Sequence, residues 1–427
     1  MSNPIFIARQ DTLENDILPA HWLSQYKLFG EESYTFQDKE IWKKLCMSRA
    51  AANDRDMHAE ALEEMLTTFS AEHTGKWMLT VYGMDAAALE GLATMAAIAA
   101  NGTAMGAIAD NALLMHAIAN SETAMQRIAN SQTAMQRVAN NRGAMDTIGR
   151  SRIARDAVQA SPYYNSCIKE NDMAIAKLAV ALANLESAGY SGMAGVAADS
   201  TAMTAVAASA TAMTAVAASS VARNAISASP YYDEKIKEND MAIAKLVVGF
   251  ANLESARYSG CAGMAADSTA MTAVAASSTA MTAVAASGVA LKAIAQAYKK
   301  TANMLQFLKA VNASDTLVKR IYSTLTNATA LFGAAQLGSQ DSVENANSWA
   351  TTSAAPNAFL ACACGYYGSS SDSVSVTYNG TVIAQKKTGT KQPGSVASTN
   401  VNAITMAPST FTENGDGYLA VQKFTAK

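Results

Sequence analysis

The chain has 427 residues, 50% hydrophobic, 7% aromatic and 16% charged, with a formal net charge of −3. That length exceeds one compact core unless repetition lets the chain grow in one dimension. Near-neutral charge without a basic run excludes a phosphate-binding footprint, so no nucleic-acid partner is expected.

Much of the hydrophobic fraction is alanine, so the core is expected to be built from small side chains in close contact. The opening Met1-Ser2-Asn3-Pro4-Ile5 lacks the basic segment and apolar run of a secretory signal, and the protein is expected to be made in the cytoplasm. Lys177 and Lys245 interrupt the two longest apolar stretches, so no membrane insertion is expected. The cysteines Cys46, Cys167, Cys261, Cys362 and Cys364 are odd in number and scattered, which argues against a disulfide framework. The histidines His21, His58, His73 and His116 fall in no ligand spacing. No metal, cofactor or catalytic residue is expected: nucleophile elbows, phosphate loops and zinc-protease motifs are all missing from the sequence.

Residues 1–90 hold Trp22, Trp42 and Trp77 and a denser mixture of charges, and read as a helical anchoring module, with two helices over 38–69 broken near Ala52-Asn53-Asp54. A ten-residue repeat follows over 91–160, with Met at one position and Ile or Val three later: Met95/Ile98, Met105/Ile108, Met115/Ile118, Met125/Ile128, Met135/Val138 and Met145/Ile148. The spacing predicts a helix of about two turns per unit, its Met, Val and Ala on one face. Thr or Ser before the Ala-Met pair is read as the N-cap. A continuous helix is excluded, because ten residues advance the stripe by roughly 80° beyond whole turns, so a turn must reset the phase at each unit. Short helices of this size are unstable alone and must stack as an α-solenoid.

Two super-units follow, 161–228 and 229–296, offset by 68 residues. Each opens on Ser-Pro-Tyr-Tyr, continues through a longer helix ending at Asn-Leu-Glu-Ser, and closes with a short decapeptide array. The Ser-Pro pair is read as a helix start, serine as N-cap and proline at the first helical position. Arg155 and Arg223 replace the stripe methionine and are read as ending an apolar face. Tyr163, Tyr164, Tyr231 and Tyr232 are corner residues first and candidate partner contacts second.

Residues 297–336 read as a helical junction striped by Leu305, Leu308, Val311, Leu317, Ile321 and Leu325, and 337–357 as a linker. From 358 to 427 the pattern becomes β: 374–378 and 381–385 flank Asn379-Gly380, a hairpin signal, and 359–364 and 418–424 supply further strands. This small antiparallel domain is modest in hydrophobic content, a deficit that self-association, with a trimer favoured, would relieve. Tyr366 and Tyr367, between Gly365 and Gly368, are its candidate contact residues.

The Ser-Thr-Ala-Met-x-Ala-Val-Ala-Ala-Ser decapeptides between an aromatic, charged N-terminal module and a Gly/Ser-rich β tip resemble virion proteins of tailed bacteriophages, of tail-fibre or appendage type. The resemblance implies a non-enzymatic structural protein whose N-terminal module docks on other virion proteins, whose array is a spacer, and whose C-terminal domain contacts a host surface receptor or another virion protein. The alternative is a soluble helical-repeat scaffold that binds a protein or peptide. An ice-binding threonine face is a third reading, disfavoured by a period of ten rather than eleven.

Overall fold

The computed structural model describes residues 59, 62, 63, 66, 67, 91, 92, 94–297, 301–341, 348–350, 357–366, 373–387, 395–406, 409–414 and 417–427. Among the described residues lie 21 helices followed by eight strands, a mainly α protein with a small C-terminal antiparallel β domain. The chain divides into two compact units, Met1–Val196 and Ala197–Lys427.

The first unit carries α1 (Met95–Ala100), α2 (Gly102–Asp110), α3 (Ala112–Ala119), α4 (Glu122–Ala129), α5 (Gln132–Ala139), α6 (Arg142–Arg150), α7 (Arg152–Ala160), the short α8 (Tyr164–Cys167) and the longer α9 (Asp172–Leu182). A joint of one or two residues separates most of these helices. Asn101 is the C-cap of α1, its N–H bonded to the Ile98 carbonyl, and also the N-cap of α2, its side chain accepting from Thr103 and Ala104 N–H at 3.0 Å. Ser151 does the same between α6 and α7. An extended residue whose side chain caps the next helix both ends one phase and starts another. In α2, α4 and α5 the N-cap therefore lies two residues earlier than the threonine read as the cap, while in α1 Thr94 is the cap. The threonine before Ala-Met sits inside the helix, because the cap must reach the third helical N–H, which belongs to that alanine.

Each decapeptide helix, α1 to α7, buries Ala, Met, Ile or Val, and usually the following Ala; Ala124, Met125, Ile128 and Ala129 in α4 are typical. This apolar stripe points into one continuous core, where helices stack at an interval of three: α4 on α1, α5 on α2, α6 on α3, α7 on α4, α8 on α5 and α9 on α6. Three consecutive helices thus complete one turn. Polar contacts repeat with the layers. Ser131 Oγ donates to the Ala99 carbonyl at 2.6 Å, Ser151 to Ala119 and Ser161 to Ala129, and Asn171 Nδ2 to Ala139, always 32 residues apart. These acceptors are last-turn carbonyls with no partner inside their own helix. Ser151, buried, combines cap and ladder in one hydroxyl, so Ser151→Ala is expected to cost about 2 kcal/mol in a urea titration.

Of residues 1–90, the helical Ala59, Leu62, Glu63, Leu66 and Thr67 are described; the remainder of the anchoring module lies outside the described residues. Leu62 is fully buried in the first core. Glu63 accepts from Ser121 Oγ at 2.5 Å, Thr123 N–H at 3.1 Å and Thr123 Oγ1 at 2.6 Å. In later layers the joint hydroxyl finds a carbonyl 32 residues earlier; here a carboxylate takes that place at the start of α4.

At the division between the units lies α10 (Met193–Ala197), and the second unit continues with α11 (Ser200–Ala208), α12 (Ala210–Ala218), α13 (Ser220–Ser227), α14 (Tyr232–Lys235), α15 (Asp240–Phe250), α16 (Cys261–Ala266), α17 (Ser268–Ala276), α18 (Ser278–Ala286), α19 (Gly288–Gln296), α20 (Thr301–Asn312) and α21 (Asp315–Asn327). The chain bends by 100° between α11 and α12 and by 104° between α17 and α18. The interval of three persists: α15 stacks on α12, α18 on α15, α19 on α16, α20 on α17 and α21 on α18. The helical junction is therefore the end of the array. Threonine does not form a continuous row, since α14, three helices after α11 and three before α17, carries none.

The strands β1 (Phe332–Asp341), β2 (Ser348–Ala350), β3 (Ala358–Tyr366), β4 (Ser373–Tyr378), β5 (Thr381–Lys387), β6 (Val401–Met406), β7 (Ser409–Asn414) and β8 (Gly417–Ala426) form two four-stranded antiparallel sheets, ordered β1-β8-β3-β6 and β2-β7-β4-β5. Asn379 and Gly380, at φ 48° and 78°, make the expected two-residue hairpin between β4 and β5. The segment read as a linker, 337–357, is a correction: 337–341 complete β1 and 348–350 form β2. Its small and polar residues hid strands whose stability comes from pairing with β8 and β7.

The first sheet is covered by the array itself. Phe359 and Phe424 meet Phe307 of α20 and Tyr322 of α21 at centroid distances of 6.4 and 5.8 Å. Buried Asn312 at the end of α20 pairs with β6 as another strand would, donating to the Ile404 carbonyl at 2.7 Å and accepting Ile404 N–H at 3.0 Å. Every side chain from Ala358 to Ala363 is buried, as expected of a strand covered on both faces. Within this one chain, α20 and α21 supply apolar cover for a β domain with few large hydrophobics of its own.

Candidate functional site

The two Ser-Pro-Tyr-Tyr corners have the same construction. Ser161 and Ser229 are buried and donate to the Ala129 and Ala197 carbonyls, while accepting Tyr163 and Tyr231 N–H at 3.1 Å. The helices begin only at Tyr164 and Tyr232. Proline thus lies in a turn before the helix rather than at its first position, because the serine caps its own turn and bonds to the neighbouring layer. All four tyrosines are half-buried, and Tyr163, Tyr164 and Tyr232 pack against the cores of their own units. Burial, and secondarily Glu170, pushes the Tyr164 phenol up to about 12; burial, and secondarily Asp233, does the same for Tyr232. Tyr366 ends β3 opposite Gly417, and Tyr367 lies outside the described residues. Tyr163 and Tyr164 belong to the first unit, and Tyr231, Tyr232 and Tyr366 to the second.

The polar groups that do converge are around two buried lysines. The long helices α9 and α15 end in Asn184 and Asn252, at φ 59° and 56°, with Leu185 and Leu253 N–H reaching back to the Val180 and Val248 carbonyls at 3.1 Å. This is what the Asn-Leu-Glu-Ser motif does: it reverses the chain so that the serine carbonyl returns to the lysine. Lys177 Nζ donates to Ser187 O at 3.1 Å and to Asp146 Oδ1 on α6 at 2.5 Å, and the Ser187 hydroxyl donates to the same oxygen at 2.8 Å. Lys245 Nζ meets Ser255 O and Thr214 Oγ1 at 2.9 Å and Ala256 O at 3.4 Å. Position 214 is the counterpart of 146, so the second copy has no carboxylate here, and desolvation lowers the Lys245 pKa. Each ammonium is enclosed and hydrogen-bonded, an arrangement that pins the long helix to the helix three before it.

The loops after the long helices are held by Asp172 and Asp240, whose carboxylates accept Met193 and Cys261 N–H at 2.8 and 3.0 Å. Arg155 donates to the Gly149 carbonyl and Arg223 to that of Ala217 at 2.6 Å. They bond to carbonyls in the last turns of α6 and α12, a contact that the reading of an ended apolar face did not include. The sequence reading took Lys177 and Lys245 only as breaks in apolar stretches. The missed signal was a lysine centred in an apolar helix, with a serine ten residues on, repeated at the 68-residue offset.

A polar groove of about 600 Å³ in the first unit is lined by Thr133, Gln136, Arg137, Asn140, Ser166 and Glu170, with Cys167 and Asn171. Among the described residues there is no cluster of three or more metal-ligating side chains, and Cys167, Cys261 and Cys362 are buried free thiols. Among the described residues, too, no single helix is long and apolar enough to cross a membrane. No protein-family model matches the chain, and no curated protein matches it.

Proposed function

We propose that this chain is a non-enzymatic structural spacer, and that its place is in a virion of tailed-bacteriophage type as a tail-fibre or other appendage component. The observation that carries the spacer reading is the ladder between layers: joint hydroxyls and amides bond to carbonyls 32 residues back, and the buried lysines to side chains 31 residues back, so these groups are used for cohesion. The β domain fused to the last two helices is a presenting element for a host receptor or another virion protein, and the N-terminal module is the docking end. The virion assignment rests on the resemblance of the decapeptides and of the two ends.

Antibodies against the C-terminal domain are expected to decorate an appendage on purified phage particles in immunoelectron microscopy. A chain found only in soluble cell extract, bound to another protein, would replace this with the scaffold reading. The polar groove beside Arg137 is the observation that favours that alternative and would be its binding surface.

A further inference from the structure

We infer that the 68-residue super-unit is a length quantum: the array gains or loses spans of this size without turning the C-terminal domain to another face. The inference rests on the spacer reading and concerns how such a spacer changes length. One super-unit holds six helices, α14 to α19 in the second copy, and at three helices per turn six helices are two whole turns. A single decapeptide is a third of a turn.

Three features make the seam silent. Residues 199–209 and 267–277 are identical, and Asp199 and Asp267 cap their helices alike, accepting at 2.7 and 3.1 Å and at 2.8 and 3.2 Å. The helices that support α20 and α21 are α17 and α18; α11 has the same sequence as α17, and α12 differs from α18 only at its first residue. At one tight crossing where the copies differ, the difference involves partners one layer apart. Gly149 faces Ala181 in the first copy, and Ala217 faces Gly249 in the second, so each close crossing keeps one glycine and one alanine.

The test uses the full chain with nitroxides attached through an unnatural ketone amino acid, leaving its five cysteines in place. One label replaces exposed Val382, and the other replaces Thr204, Ala210 or Asn224, one on each of three successive helices. Pulsed dipolar spectroscopy then ranks the three distances. Duplicating Ser200 to Asp267 directly after Asp267 is expected to keep wild-type helicity and the same ranking with longer distances. Duplicating Ser268 to Ser277 directly after Ser277 is expected to permute the ranking by one helix. A permuted ranking or lost helicity in the 68-residue insertion, or an unchanged ranking in the ten-residue insertion, would overturn the inference. Neither result bears on whether antibodies find the chain on a virion, so the two proposals fail separately.

Discussion

Gly249→Ala is expected to destabilise the second unit by about 3 kcal/mol, read as a shift of the urea midpoint. A Cβ at Gly249 would lie 2.3 Å from the Ala217 carbonyl oxygen and 2.9 and 3.0 Å from its carbonyl carbon and Cα. All three are backbone atoms of α12, so neither rotamer change nor side-chain motion relieves the clash; α15 must move away from its neighbour. The first copy provides the rescue, since Ala181 occupies the position of Gly249 and packs over Gly149 in place of Ala217. Adding Ala217→Gly keeps those backbone atoms and removes only a Cβ, so it should recover the part of the loss that a shift of α15 toward the first copy's crossing relieves, giving a double-mutant coupling of about 1 kcal/mol. Independent, additive effects would mean that the crossing is not the site of the constraint.

Removing the carboxylate from the first buried lysine should have an effect of similar size. Asp146→Ala leaves Lys177, fully buried, with its charge uncompensated, at an expected cost of about 3 kcal/mol. Asp146→Thr should cost less, because Thr214 already serves Lys245 in that position. The second copy adds a pH dependence of defined sign. Desolvation lowers the Lys245 pKa below its ordinary 10.5, so between those values the unfolded chain binds the proton that the folded chain resists. Stability should rise with pH across that interval, with the cost fully present below it and absent above it. Thr214→Asp, which recreates the ion pair of the first copy, should flatten the slope; an unchanged slope would show that Lys245 is not its source.

The local part of this architecture was legible because it is written in short-range pattern. Met and Val at i and i+3 marked the buried face, Asn379-Gly380 marked a turn requiring positive φ at both residues, and the apolar segments Phe359–Cys364 and Tyr418–Val421 marked β3 and β8. The spacing between layers was not legible, because a serine that caps a helix and one that also bonds to a carbonyl 32 residues away look the same in sequence. Ser151 does both. The cap register was misread by two residues because threonine and serine both occur near each joint and either is a chemically acceptable cap. The strands β1 and β7 escaped notice because Phe332–Asp341 and Ser409–Asn414 hold few large apolar residues (Phe332 and Leu337 in the first, Phe411 in the second), and their strand character comes from their neighbours. The half-burial of Tyr163, Tyr164, Tyr231 and Tyr232 at the two corners is set by packing within each unit, which aromatic content alone does not reveal.

The spacer reading depends on layers that recur every three helices, and disulfide trapping measures that recurrence directly. Asp110 and Asn141 are joined across a layer, Nδ2 to Oδ1 at 2.7 Å, and Ser121, Ser131 and Asn141 are equivalent N-caps one, two and three units on from Asn111. Asp110→Cys should be combined in turn with Ser121→Cys, Ser131→Cys and Asn141→Cys, oxidised mildly, and mapped by peptide mass spectrometry. Three helices per turn predicts closure of 110 with 141 and not with 121 or 131. Preferential closure with 131, or equal closure with all three, would contradict the stacked array on which the functional proposal stands.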